Sequence, residues 1–413
     1  MHELSQMIKD DMKPALGVTE PGAIAFAVAK ARSFTKGDIK KVNVAMNSGM
    51  YKNAFTCGIP NSNEVGNVFA AALGVVAGNA DKGLESLADV TPEDNVKAQE
   101  MIDQGKITVE LSGITSRIFI EATVETEEDK AIVTIRDSHT NITKIIVNDK
   151  VELETEDEKK TEEDGGEEES HSIHKYTLQQ LYDYVTTVDI EEIRFINEAY
   201  KVNLELFHEG LENPRTTFAR QLLAINKGKE VSDDEQKTAS LMCNAAIEAR
   251  VIGLDKPAMS ITGSGAHGII ATMPLYAAYK VNGYTEEQLL RATALSYLVC
   301  MYIKEYSGRL SAFCGCAIAA GSGMACALVY LRGGTVEMMA HTLNNMASSI
   351  TGMICDGGNQ GCTMKGVAAV DAAYKSVEFA MNGIYISEVH GINGNTPEET
   401  MRNMGLIASP GMV

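Results

Sequence analysis

The sequence predicts an α+β N-terminal domain, an antiparallel sheet with helices, followed by a mainly α-helical C-terminal domain. Three observations carry this. Runs rich in β-branched residues lie between Ile107 and Val147, separated by turn residues, as in an antiparallel sheet. From Tyr176 onward the apolar residues recur at helical spacing almost throughout, the pattern of packed helices. Between the halves, Glu152 to Glu169 holds eleven acids and two lysines, too polar to bury a core, and reads as a flexible acidic insert. The expected division is 1–150, the insert over 151–172, and the helical domain over 173–413. A chain of 413 residues is long enough for two cores.

The elements follow in order. Glu3 to Lys36 reads as helix broken at Gly17-Val-Thr-Glu-Pro21, with Thr19 as a cap and Pro21 in the first turn. Lys41–Met46 alternates as a strand does, and Asn47–Asn53 and Cys57–Ser62 read as polar loops. Helices run to Lys82 and again near Pro92–Gln104. Strands are expected at Ile107–Leu111, Ser116–Val124, Lys130–Arg136 and Thr143–Val147. The helices of the second half are expected at Leu178–Thr186, Ile190–Gly210, Ser232–Leu254, His267–Asn282, Thr285–Tyr306, Ala317–Arg332, Thr335–Ile350, Thr363–Asn382 and Pro397–Ile407. No internal repeat stands out.

The net charge of −20 argues against nucleic acid and anionic membranes as partners. The start lacks a charged segment followed by an apolar stretch, so no secretory signal is read there. Leu310–Leu331 is uncharged, but its Gly, Ala, Ser and Cys fit a buried central helix better than a membrane span. A cytoplasmic location is expected, where thiols stay reduced. The abundant small residues and 20 methionines suit closely packed helices and a homodimer.

Six of the eight cysteines lie between Cys300 and Cys362. Cys243, Cys300 and Cys326 have apolar neighbours and read as core. Cys314, Cys316, Cys355 and Cys362 do not: they stand in Ser311-Ala-Phe-Cys-Gly-Cys316 and Cys355-Asp-Gly-Gly-Asn-Gln-Gly-Cys362. Thiols gathered among glycines and backbone amides are what an iron–sulfur cluster needs. The spacing is neither a ferredoxin run nor the paired C-x-x-C of a zinc site, so spacing alone leaves cluster, zinc-thiolate and plain thiol readings open.

Other segments offer chemistry. Gly263-Ser-Gly-Ala-His-Gly268 matches G-x-G-x-x-G, but no βαβ series surrounds it and no ribose acid follows, so a dinucleotide site is rejected. A glycine-rich helix entry can still hold a carboxylate on free N–H groups, with Ser264 and His267 beside it. His139, Thr140 and Asn141 close a strand turn. Lys304 and Arg309 precede the cysteine loop, and Asn47, Ser48, Lys52 and Asn53 form a polar stretch. With Ser264, these make the candidate substrate-binding set: Asn47, Ser48, Asn53, His139, Thr140, Asn141, Ser264, Lys304 and Arg309.

Taken together, Lys13-Pro-Ala-Leu-Gly-Val-Thr-Glu-Pro21, Thr56-Cys-Gly-Ile-Pro-Asn-Ser62, His139-Thr-Asn-Ile142, Gly263–Gly268 and the two cysteine segments resemble the L-cysteine desulfidase family, the UPF0597 group. That group is related to the α-chain of iron–sulfur L-serine dehydratases. The resemblance implies a [4Fe–4S] cluster on Cys355, Cys362 and one of Cys314 and Cys316. It implies β-elimination from a small amino acid, cysteine or serine, giving pyruvate and ammonia without pyridoxal phosphate, with an open iron acting on the leaving group. The family usually reads Leu-Gly-Cys-Thr-Glu-Pro, and its cysteine is thought to move the proton. Here that position is Val18, which carries none. Glu20, Lys52, Cys57 and His267 are the candidates to replace it. The substitution also leaves open a different β-substituted substrate, or a non-catalytic iron–sulfur sensor.

Overall fold

The computed structural model describes residues 1–115, 117–155, 172–308 and 310–412. In the first half the chain runs α1 (Glu3–Asp11), β1 (Lys13–Leu16), α2 (Thr19–Arg32), β2 (Ile39–Asn47), α3 (Ser48–Ala54), α4 (Gly66–Ala77) and α5 (Pro92–Asp103). Then come β3 (Ile107–Gly113), β4 (Phe119–Thr126), β5 (Lys130–Arg136), β6 (Ile142–Val147) and β7 (Lys150–Glu154). The second half holds α6 (Leu178–Thr187), α7 (Ile190–Ile193), α8 (Asn197–Glu212), α9 (Phe218–Ile225), α10 (Glu235–Val251), β8 (Pro257–Ser260), α11 (Gly265–Asn282) and α12 (Glu286–Ser307). It closes with α13 (Gly321–Leu331), α14 (Val336–Ile350), α15 (Gly361–Met381) and α16 (Pro397–Leu406). An N-terminal sheet with helices and a mostly helical second half therefore hold.

The sheet order is β3-β2-β4-β5-β6-β7. It is mixed rather than wholly antiparallel, because β3 runs parallel to β2, with Val42 opposite Ile107. Helices α3, α4 and α5 lie between these two strands, and a connection of that length permits a parallel pairing. Strands β4 and β5 alternate inward Ile120, Ala122, Val124 and Ala131, Val133, Ile135, all fully buried. Helix α2 covers that face, and its alanines let α4 come close: a Cβ on Gly74 would stand 2.8 Å from the Ala25 backbone.

Several expectations change. Asn47–Asn53 is not a loop: it ends β2 and forms most of α3. Lys13–Leu16, read as helix, is a strand pairing with β8; the proline at its second position suits an edge. The stretch read as one helix from Ile190 to Gly210 breaks at a 3₁₀ turn, Arg194–Ile196. Helix α9 is additional. Its N-terminus is held by the buried Glu248 carboxylate, which accepts the amides of Thr217 (2.8 Å), Phe218 (3.1 Å) and Ala219 (2.8 Å). The acidic run begins as β7 through Glu154; residues 156–171 of the insert, and Ser116, lie outside the described residues.

Two apolar cores result. One joins the sheet to α2 and α4 and includes Val18 and Leu310. The other joins the helices of the second half and takes in Leu4 and Ile8 of α1. Among the described residues no helix is long and apolar enough to cross a membrane. Replacing Gly74 with Ala forces α2 and α4 apart. Urea unfolding should show a loss of about 1–3 kcal/mol, the usual cost of overpacking, and an unchanged midpoint would contradict this packing.

Candidate active site

A cavity lies where the two cores meet. Its wall includes Val18, Glu20 and Asn53 from the first half, and Arg250, Ser264, His267 and Lys304 from the second. All four glycine-loop thiols, Cys314, Cys316, Cys355 and Cys362, also line it.

The cysteine segments reach this place by backbone pairing. Phe313 and Ile354 form an antiparallel bridge. The Cys314 amide donates to Met353 O at 2.8 Å, and the Cys355 amide donates to Ala312 O at 2.8 Å. Gly357 then has φ +103°, and a Cβ there would stand 2.3 Å from Lys52 O; only glycine fits so close a backbone approach. The Gly358 amide donates to Asn53 O at 3.1 Å, and an ion pair between Asp356 and Lys365 closes the loop. Cys362 stands in the first turn of α15. Cys316 opens a π-helical turn, Cys316–Ala320, leading into the fully buried start of α13; such turns often mark functional positions. All eight cysteines are free.

The charges differ in kind. Burial pushes the Glu20 carboxyl up, but the His139 imidazole and the Asn53 amide (Nδ2 to Oε1, 2.9 Å) outweigh it and hold the acid at about 2. His139 Nε2 stands 3.8 Å from Glu20 Oε1, beyond hydrogen-bond distance. Burial lowers Lys304 to about 8, partly countered by the thiols of Cys300, Cys316 and Cys355. Its Nζ donates to Gly308 O (2.6 Å) and Ser311 Oγ (3.0 Å). The Cys316 thiol donates to the Cys314 sulfur, which also receives amides of Ala317 and Cys316; Cys314 is lowered and Cys316 raised.

His267 is held neutral in the cavity wall. Burial, followed by the nearby Lys304 and Arg250 cations, lowers its basicity well below the ordinary value. Its Nδ1 lies 2.5 Å from Thr262 Oγ1, and that hydroxyl donates to Ile261 O at 2.7 Å. The hydroxyl's one proton being used, it accepts from Nδ1–H, which leaves the lone pair on Nε2. Nε2 faces Gly315, where a Cβ would stand only 2.9 Å away. Thr262 has φ +52°, an unusual conformation for a β-branched residue; Asp11 secures it by accepting its amide at 2.5 Å.

The other sequence candidates divide. Asn53, His139, Ser264 and Lys304 line the cavity, as does Glu20. Asn47 does not: it is buried between Thr115 O (2.7 Å) and the Phe119 amide (3.0 Å). Ser48 likewise braces Thr115. Asn141 bonds Arg136 O within its own turn, and Thr140 is exposed beside it. Lys52 donates to Ser311 O at 3.1 Å, supporting the cysteine segment from outside the wall. Cys57 is fully buried, donates to Ala54 O, and has its thiol pushed far up by burial, so it is a core thiol. Arg309 lies outside the described residues. Thr262, Arg250 and Lys365 line the cavity and were missed. The signal for Arg250 was a charge inside the small, apolar run Leu241–Val251.

Among the described residues no three His, Cys, Asp or Glu side chains converge as ligands of one metal ion would. The four thiols nonetheless line one cavity. Ligands of an iron–sulfur cluster bind different irons and so stand farther apart than those of a single ion. The amides on the Cys314 sulfur are the kind of donor that tunes such a centre.

The family model for the serine dehydratase alpha chain matches residues 81–413. A UPF0597 protein of Clostridium botulinum (strain Hall) is 41% identical, covering 98% of this chain and 95% of its own length. Another, from Caldanaerobacter subterraneus subsp. tengcongensis, is 37% identical over 99% and 95%. One from Clostridioides difficile (strain 630) is 33% identical over 98% and 96%.

The Glu20 shift makes a pH prediction. Its folded pKa lies below its unfolded one, so the stabilisation is fully present above about pH 4.5 and is lost as pH falls through about 2. Glu20→Gln should therefore flatten the acid limb of the stability curve in that window, by about 3 kcal/mol. Denaturant midpoints between pH 2 and 6 check it, and parallel limbs for both proteins would refute it.

Proposed function

The chain belongs to the serine dehydratase alpha-chain family, among its UPF0597 members, and from that premise we propose that it is an iron–sulfur-dependent β-eliminating lyase of a small amino acid. L-cysteine and L-serine are the leading substrates. The observation that carries this reading is one cavity lined by four thiols, a stable carboxylate, buried cations and a neutral base.

A [4Fe–4S] cluster would be held by Cys355, Cys362 and one of the Cys314–Cys316 pair, where the Cys314 sulfur already receives two amides. When bound, it would supply a Lewis-acidic iron for the leaving group. The chain's own groups do the rest. Glu20, ionised at neutral pH, suits the substrate ammonium, with Asn53 fixing its orientation. The cations of the same wall suit the carboxylate. His267 Nε2 takes the Cα proton; the Cα–H electron pair becomes the Cα=Cβ bond, and the Cβ–S or Cβ–O bond breaks. The released enamine hydrolyses to pyruvate and ammonia. Placing a base against a weakly acidic C–H in a water-poor cavity is worth about 10²–10⁴ in rate.

Purified without oxygen, the protein should be brown, with about four irons and equivalent labile sulfide per chain. It should release pyruvate from cysteine or serine. His267→Gln should keep its iron and lose about 10²–10⁴ in turnover. A colourless chain without iron after anaerobic reconstitution would reject the cluster. An iron-loaded chain silent on all small β-substituted amino acids would favour the non-catalytic sensor, the reading that Val18 supports.

A further inference from the structure

We propose that Arg250, with the first turn of α11, is the carboxylate anchor of this cavity and commits it to substrates with a free carboxylate. The inference rests on the amino-acid reading above and assigns its anionic end to a particular group.

Arg250 is 4% exposed and lines the cavity. Its Nε is buried without a hydrogen-bond partner. An unpaired guanidinium in a buried place is costly, and it persists where an anion arrives to pair with it. The acids nearby are otherwise engaged. Glu248, two residues back on α10, caps α9 and accepts from Gln360 at 3.2 Å. Glu20 is held by Asn53 and His139.

The other cavity cations are committed. Lys304 donates to Gly308 O and Ser311 Oγ, and Lys365 pairs with Asp356. Arg250 has the planar fork that matches a carboxylate.

The neighbourhood keeps this fork open. Gly265 is the first residue of α11, and a Cβ there would stand 2.6 Å from Arg250 Nε and 2.8 Å from Ala258 Cβ. Ser264, at the N-cap, makes no side-chain cap. The uncapped end of this 18-residue helix therefore meets the cavity beside the guanidinium, with Ser264, Ala266 and His267 in the wall. Helix N-terminal amides favour negative charge. Two independent devices, one side chain and one helix end, converge on the same kind of ligand.

The test uses L-alanine and L-alaninamide, which have no β leaving group and so read binding without turnover. In calorimetric titration of the full anaerobic protein, L-alanine should bind about 10- to 100-fold more tightly than the amide. Arg250→Gln should abolish that preference by weakening L-alanine alone. Arg250→Lys should recover part of it. Gly265→Ala, which displaces the guanidinium and leaves its charge, should reproduce Arg250→Gln and serves if that variant fails to fold. Equal binding of acid and amide by the unaltered protein, no binding of either, or equal weakening of both by the Arg250 and Gly265 variants would overturn the anchor. A protein that prefers L-alanine through Arg250 yet yields no pyruvate would instead refute the lyase reading and leave the anchor standing.

Discussion

The short backbone bridge between Phe313 and Ile354 is the contact on which the site depends. The two cysteine segments are about forty residues apart in the chain and separated by α13 and α14. Neither has regular structure of its own that would bring its thiols to the other. Reciprocal amide bonds, Cys314 to Met353 and Cys355 to Ala312, fix the register, so both segments open into one cavity. The glycines then become necessary rather than incidental. Gly357 lets the second segment lie against the carbonyl of Lys52, and Gly315 leaves room for His267. A side chain at either position would press on backbone or on the candidate base, and the loop would have to leave the sheet domain.

The same junction explains why the cavity can carry both signs of charge. Each core alone would exclude ions, but at the boundary polar groups from both sides can satisfy one another. Asn53 is the hinge of this arrangement. Its side chain bonds Glu20, its carbonyl receives Gly358, and its Oδ1 lies 3.9 Å from the Cys355 sulfur. A carboxylate so held stays ionised despite burial, because the neighbouring His139 imidazole and the Asn53 amide favour the charged form by more than the lost solvation. The cations of the wall are supplied by helices of the other core. On the proposed reading a zwitterion would complete such a wall.

Much of this was legible from residue type and spacing. The β-branched runs gave the sheet, and the change to helical period after Tyr176 gave the second half. The polar, glycine-rich neighbours of Cys314, Cys316, Cys355 and Cys362 separated them from the core thiols Cys243, Cys300 and Cys326. What failed depended on contacts distant in the chain. Asn47 and Ser48 are polar residues beside a strand end, and nothing local says that they serve Thr115 rather than a ligand. Arg250 lay hidden because a helix of small residues reads as core. The parallel pairing of β3 with β2 was equally invisible: strand propensity carries no direction, and only the length of the intervening helices hints at it.

Val18 bears on how the proposed chemistry would run. The valine is 4% exposed, and Gly358 approaches it so closely that a Cβ there would meet Val18 Cγ1 at 2.7 Å. The cysteine loop thus rests on an apolar surface at the position where the resemblance implied a thiol. A thiolate base becomes neutral as it takes a proton, whereas an imidazole becomes positive, here beside Lys304 and Arg250. Burial, with that repulsion added to it, keeps His267 a weak base. A carboxylate seated on Arg250 would cancel one of the two opposing charges and strengthen the base at the moment substrate arrives. A valine at this position is then consistent with the proposed elimination, on the condition that proton abstraction follows anion binding. Amino-acid amides, which leave Arg250 uncompensated, would be both weakly bound and slowly deprotonated.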